Sequence, residues 1–173
     1  MIVHQDGAAQ VLASGLRVED ASTNLNVYVG EATTGLGVFA ARDLAPSSWI
    51  LSFEGPLIGM DHPVAQLDQD GVLLQVGRHT YLMPHPPAAL LNHSCDPNAG
   101  LFKDVHLVAL QWIRTGEQIC FDYSTTMHEN NWSLQCACGT ATCRGRIGDF
   151  VSLPVADQER YRRLGVVSSF VPV

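Results

Sequence analysis

Asn92-His93-Ser94-Cys95-Asp96-Pro97-Asn98, read together with Cys136-x-Cys138-x4-Cys143, decides how this chain folds. The C-terminal run offers three thiols, one short of the four that close a tetrahedral structural zinc site. Cys95 is the natural fourth ligand. The remaining cysteine, Cys120, stands between Ile119 and Phe121 on an apparent strand and reads as a buried core thiol. A zinc ion shared by Cys95, Cys136, Cys138 and Cys143 would tie a mid-chain loop to the C-terminal segment. It would be structural, since four thiolates leave no position open for water or substrate. The competing reading, unrelated buried cysteines, sits poorly with such dense spacing around Gly139.

The residues beside that tie carry chemistry. Asn92-His93 precedes the candidate ligand, and Pro97-Asn98 follows it, so the loop is pinned from both sides and reads as a polar functional corner. Gly116-Glu117-Gln118-Ile119-Cys120-Phe121-Asp122-Tyr123 lies between the two cysteine regions and ends on a tyrosine that a group-transfer site could use. The other histidines (His4, His62, His79, His85, His106 and His128) are scattered without ligand spacing. Thr34-Gly35-Leu36-Gly37-Val38 is a weak signal alone, because it lacks the third glycine and the βαβ context of a dinucleotide fingerprint. Its glycines would still let a ligand approach the backbone closely.

The chain has 173 residues, 46% hydrophobic and 16% charged, which describes one soluble globular domain able to bury a core. No apolar run reaches the roughly 20 residues a bilayer span requires, and the first ten residues lack a basic and apolar leader. A cytoplasmic location, or a nuclear one in a eukaryote, is expected, with no secretion and no membrane partner. Net charge is −7, from 10 basic and 17 acidic side chains. That argues against direct nucleic-acid binding and favours a cationic partner or a neutral pocket. Five cysteines is an odd number, and in a reducing compartment the Cys136-x-Cys138-x4-Cys143 cluster reads as metal binding before disulfides.

Short β-like runs recur between Gly, Pro, Asn and Asp. Asn26 to Val29, Val38 to Arg42, Trp49 to Ile58 and Ile119 to Tyr123 read as strands. Val72 to Val76 and His79 to Met83 flank a turn at Gly77-Arg78, and Leu101-Phe102 and Val105 to Trp112 flank another at Lys103-Asp104. Pro86 to Leu91 suggests a turn or two of helix. Asp157 to Leu164 reads as a C-terminal helix capped by Asp157 and Gly165. Ser124 to Gln135 is polar and reads as a tether to the cysteine module. The expected fold is mostly β.

Taken in order, these segments resemble the SET-domain protein-lysine methyltransferases with a post-SET zinc module. The resemblance rests on Gly35-Leu36-Gly37-Val38-Phe39, the Asn92 to Asn98 loop, Gly116 to Tyr123, and Cys136-x-Cys138-Gly139-x3-Cys143-Arg144-Gly145. It spans about residues 25 to 148. The first 24 residues hold no cysteine-rich pre-SET region, so the chain is similar to the compact, stand-alone form. The resemblance implies a SET domain over 25–124, a post-SET zinc module over 132–148 and an extension over 149–173. It implies small curved sheets with a knot-like C-terminal crossing, a rare kind of threading.

It also implies S-adenosylmethionine bound by Gly35, Leu36, Gly37, Asn92 and His93, with Tyr123 as the catalytic tyrosine. A basic protein or peptide would enter a narrow channel lined by Phe53, Tyr81 and Phe121, with structural zinc on Cys95, Cys136, Cys138 and Cys143. Phe121 occupies the position that tends to set product state in the family, and a phenyl ring there implies di- or trimethylation. The substrate side departs from the family pattern. Phe53 stands where a channel hydroxyl is common, Ala89-Leu90 where Arg-Phe is frequent, and Pro84 where an Asp is usual. Three functions are therefore weighed: a protein-lysine methyltransferase, a methyltransferase acting on a small molecule, and a non-catalytic binding module.

Overall fold

The computed structural model describes residues 25–33, 35–68, 71–130 and 132–172. The strands in chain order are β1 (Val27–Ala32), β2 (Gly35–Ala40), β3 (Trp49–Ser52), β4 (Leu57–Gly59), β5 (Leu74–Gly77), β6 (Thr80–Leu82) and β7 (Asn92–His93). They continue with β8 (Ala99–Phe102), β9 (His106–Ala109), β10 (Cys120–Phe121), β11 (Ser133–Gln135) and β12 (Arg146–Gly148). Among the described residues two α-helices accompany them, α1 (Pro63–Leu67) and α2 (Val155–Leu164). The architecture is mostly β, in small separate sheets. Among the described residues no helix is long and apolar enough to cross a membrane.

Strands β1 and β2 form an antiparallel ribbon, β3-β9-β8 and β4-β6-β5 are three-stranded sheets, and β11 pairs with β12. Strand β7 lies parallel to β10, with Asn92 opposite Cys120 and His93 opposite Phe121. The sheets share a core that includes Val38, Ile50, Leu101, Leu107, Ile113 and Ile119, all buried. The Lys103-Asp104 turn forms as expected, both residues taking positive φ (50° and 67°) between β8 and β9.

Four local expectations are corrected. Trp49 to Ile58 is two strands, because the chain bends at Gly55-Pro56. Gly55 has φ 157°, and a Cβ there would lie 1.9 Å from the Met83 carbonyl oxygen. Ile119 to Tyr123 shortens to the two residues of β10, and Tyr123 instead opens a 3-10 turn over Tyr123–Thr126. Ser124 to Gln135 is no plain tether, since Ser124, Thr125 and Thr126 are buried and Ser133 to Gln135 joins a strand pair. The hydroxyls of Thr125 and Thr126 donate to the Asp122 and Tyr123 carbonyls (2.7 and 3.0 Å), which satisfies polar side chains inside the fold. The C-terminal helix starts at Val155 behind Pro154, so Asp157 sits in its first turn, favourable to the helix dipole, and is not the cap. Gly165, with φ 68°, ends the helix as expected.

A second cluster, Phe150, Leu153, Tyr161, Val166 and Val171, packs with Val108 and Leu110. The fit is close. A Cβ on Gly100 of β8 would lie 2.9 Å from Val166. The C-terminal segment is thus packed onto the β3-β9-β8 sheet.

Candidate active site

The parallel pairing of β7 with β10 brings the Asn-His and Asp-Tyr segments side by side. Asn98 braces the pair, donating to the Gln118 carbonyl (2.8 Å) and accepting from the Cys120 amide (3.0 Å). Asn92 reaches the glycine strand, its Nδ2 donating to the Leu36 carbonyl at 3.0 Å. The approach depends on Gly37, where a Cβ would stand 2.7 Å from Gln118 Nε2 and 3.1 Å from Asn92 Nδ2. Gly35, at φ 98°, is open on its Cβ side.

Two cavities converge on this junction. The first, about 250 Å³, is mainly apolar, lined by Phe53, Leu73, Leu90, Phe121, Met127 and Trp132 together with Gly35, Leu36, Asn92 and Tyr123. The second, also about 250 Å³, is lined by Thr33, His93, Gln118 and Cys120 together with Leu134 to Gly139 and Ile147. Asn92 and Tyr123 belong to both. Tyr123 therefore stands where a group held in one cavity could meet a group held in the other. Cys120, read from sequence as a core thiol, is half-buried and lines the second cavity.

Of the residues expected along a channel, Phe53 and Phe121 line the first cavity, their rings 5.9 Å apart and edge-on. Tyr81 does not. It lines a neighbouring cavity of about 230 Å³ with Asp68, Glu129 and Trp132, and its hydroxyl donates to Glu129. Met127 and Trp132 were not anticipated on the first cavity. The available signal was a tryptophan inside an otherwise polar stretch.

Tyr123 is packed against Phe121 (ring centroids 4.8 Å apart) and His93 (5.3 Å). Its hydroxyl donates to the Leu91 carbonyl at 2.6 Å. Burial pushes the phenol well above its ordinary range, with the nearby Cys120 and Asp68 adding to the rise, so the group is a neutral hydroxyl at physiological pH. With its single proton committed to Leu91, the oxygen keeps its lone pairs for whatever occupies the junction. Burial likewise lowers His93 to about 4, outweighing the nearby Asp122 carboxylate, so the imidazole is neutral. Its Nδ1 accepts from the Tyr123 amide at 3.2 Å, which assigns the ring proton to Nε2. Nε2 lies 3.3 Å from Cys95 Sγ and donates towards it.

The four sulfurs of Cys95, Cys136, Cys138 and Cys143 lie within 4.8 Å of one another. Cys136 Sγ is 3.8 Å from both Cys95 Sγ and Cys143 Sγ. Zinc–sulfur bonds of about 2.3 Å in a tetrahedron give sulfur–sulfur edges of about 3.8 Å. Donors already face the sulfurs: the Arg144 amide and His93 Nε2 towards Cys95, and Thr140 Oγ1 beside Cys138 at 3.2 Å. Without an ion the thiols differ: burial pushes Cys95 up to about 11 and raises Cys136 as well, whereas at Cys138 the Thr140 hydroxyl and neighbouring donors outweigh burial and lower the thiol to about 6. The cluster suits a cation that demands thiolates.

Residues 35–124, just over half of the chain, match the SET domain family. The chain is 28% identical over 145 residues to histone-lysine N-methyltransferase trr of Drosophila melanogaster, covering 69% of this chain and 6% of that protein. It is 29% identical over 133 residues to histone-lysine N-methyltransferase Set2 of the same organism, covering 66% of this chain and again 6% of the other. It thus spans a small part of the relatives it matches. Among solved structures, SUVH6 of Arabidopsis thaliana in complex with SAM aligns with a TM-score of 0.55 at 21% identity, over 69% of this chain and 32% of that one. A humanized mutant of the Chaetomium thermophilum Polycomb Repressive Complex 2 aligns with a TM-score of 0.51 at 22% identity, over 58% and 15%. The sheet arrangement, the paired Asn-His and Asp-Tyr segments and these matches have one reading in common: the chain belongs to the SET domain family.

Proposed function

We propose that this protein transfers the methyl group of S-adenosylmethionine to the ε-amine of a lysine in a basic protein, histones being the first class to try. The observation that carries the reading is the meeting of two cavities, one apolar and one mixed, at Tyr123 and Asn92. The second cavity suits a nucleoside. Thr33, His93 and Gln118 offer polar edges, while Leu134 and Ile147 offer an apolar face. The cofactor would lie across the junction, held by Asn92 and His93 on the second cavity and by the Gly35-Leu36-Gly37 strand on the side of the first, and when bound it supplies an electrophilic methyl on a sulfonium.

The apolar cavity would take the lysine. Free lysine has a pKa of about 10.4, and transfer needs the neutral amine. A wall of Phe53, Phe121, Leu90 and Trp132 disfavours the ammonium and so favours that form. Displacement at a sulfonium methyl is in-line, so holding amine, methyl and sulfur in a row supplies much of the rate. The Tyr123 oxygen, its proton fixed on Leu91, faces its lone pairs towards the partial positive charge of the transferring methyl. Structural zinc on Cys95, Cys136, Cys138 and Cys143 would hold one wall of the cofactor cavity. In this reading the SET domain runs over 25–124, the zinc module over 132–148 and an extension over 149–173, and the protein works in the cytoplasm or nucleus.

The substrate class follows from charge and likeness. A net charge of −7 recruits cations, and the relatives above carry the name histone-lysine N-methyltransferase. The test is incubation of the zinc-loaded protein with methyl-labelled S-adenosylmethionine and a panel of basic proteins. Label on protein supports the reading; cofactor binding with label only on a small molecule overturns the substrate class.

The same pocket gives a product-state prediction. Phe121 lies between Phe53 and Tyr123 and has no hydroxyl to crowd an amine that already bears a methyl. The wild type is expected to leave di- or trimethyl-lysine. Phe121→Tyr is expected to shift the product towards monomethyl-lysine, read by mass spectrometry of the modified peptide at long incubation. Monomethyl product alone from the wild type contradicts this.

A further inference from the structure

Asp122 precedes Tyr123 and is 1% exposed, yet it has no direct part in the reaction derived above. All its acceptor positions are filled. Oδ1 accepts from the Ser124 amide (3.1 Å) and Arg144 Nη2 (2.7 Å). Oδ2 accepts from Arg144 Nη1 (2.7 Å) and the Tyr161 hydroxyl (3.0 Å). A carboxylate offers about four such positions, so a buried charge is here fully compensated. Ser124 is a local partner, on the 3-10 turn opened by Tyr123, whereas Arg144 follows Cys143 and Tyr161 belongs to helix α2 of the C-terminal segment.

The Tyr161 contact is directed. Arg160 Nη2 donates to the Tyr161 oxygen at 3.0 Å, and its guanidinium lies over the Tyr161 ring at 4.7 Å. With one lone pair occupied, the phenolic proton points to Asp122. Tyr161 is itself 1% exposed and sits among Phe150, Leu153 and Val166. Asp122 in turn caps the turn that starts at Tyr123, whose amide meets His93 and whose hydroxyl meets Leu91.

We infer that Tyr161 is a positioning residue for methyl transfer: through Asp122 it fixes the turn that aims the Tyr123 hydroxyl, making the C-terminal helix part of the working site. The inference rests on the proposed function. Near-attack geometry is steep in position, so a slack turn would lower turnover while leaving the cofactor cavity formed.

The test is Tyr161→Phe, which keeps the ring and its packing and removes two hydrogen bonds to charged groups, the one donated to Asp122 and the one accepted from Arg160. On zinc-loaded protein with sites counted by S-adenosylmethionine binding, kcat is expected to fall about tenfold, with Kd for S-adenosylmethionine unchanged within about twofold. Amide exchange at Tyr123 and Ser124 is expected to quicken by about tenfold. In a cycle with Asp122→Asn, the double variant should fall no further than Asp122→Asn alone, since both changes act on one route. Unchanged kcat per site with a lowered Tm would reduce Tyr161 to a packing residue and overturn the inference. Additive losses in the cycle would overturn the route through Asp122. Should the wild type methylate no protein at all, the functional reading fails first. Amide exchange, which needs no turnover and only Tyr161→Phe, then decides: unaltered exchange at Tyr123 and Ser124 overturns the inference too.

Discussion

Tyr123→Phe is expected to bind S-adenosylmethionine within about twofold of the wild type and to transfer methyl about a hundredfold more slowly or worse, the size of loss seen when one preorganised polar group is taken from a reacting centre. The ring would keep its neighbours Phe121 and His93, so the variant should fold. What disappears is the oxygen. In the wild type that oxygen gives its proton to Leu91 and keeps its lone pairs towards the junction of the two cavities. The substitution also leaves the Leu91 carbonyl without a donor in a buried place. Because burial holds the phenol far above its ordinary pKa, the account uses a neutral hydroxyl and not a phenolate. The pH–rate profile should therefore show no ionisation of Tyr123 near neutrality, and rapid-quench kinetics beside calorimetry separates the chemical loss from binding. A variant that turns over at the wild-type rate would remove Tyr123 from the reaction.

Loss of the metal is expected to cost more than any single side chain. Structural zinc contributes about 10–16 kcal/mol of apparent binding free energy in small sites, and that energy becomes folding energy wherever the site forms only with the fold. Cys95 lies on the loop after β7, while Cys136, Cys138 and Cys143 lie beyond β10, so the ion would join two regions otherwise distant along the chain. Leu134 to Gly139, which line the cavity proposed for the cofactor, belong to the second region. Cys95→Ser, or chelation of the wild type, should lower zinc from about one per chain towards zero, depress Tm markedly and abolish S-adenosylmethionine binding. Elemental analysis, thermal unfolding and calorimetry on the same samples check this. Full cofactor affinity in metal-free protein would show that the cysteines only pack.

How far the sequence foretold this arrangement depends on the range of each interaction. Cysteine spacing, the Asn-His pair and the glycine strand were legible because their chemistry demands particular residue types at fixed intervals. The Lys103-Asp104 turn was legible because turn residues are set by local backbone geometry. The break at Gly55 was not, since its cause is the carbonyl of Met83, a neighbour in space only. Ser124 to Thr126 looked like a solvated tether because their polarity is satisfied by backbone inside the fold. Tyr81 sits on the strand beside the expected channel, yet its hydroxyl is taken by Glu129 in the adjacent cavity. The Asp122 clamp was invisible, because Arg144 lies 22 residues away and Tyr161 lies 39 away, and no periodicity links them.

The most direct measurement is mass spectrometry of an accepted basic protein, and of its counterpart with the target lysine changed to arginine, after incubation with zinc-loaded protein and methyl-labelled S-adenosylmethionine. The account predicts label on that lysine's ε-nitrogen, more than one methyl per site at long times, and no label on the arginine counterpart. Label that persists after the change to arginine, or cofactor consumed with no lysine modified in any basic protein, would contradict it.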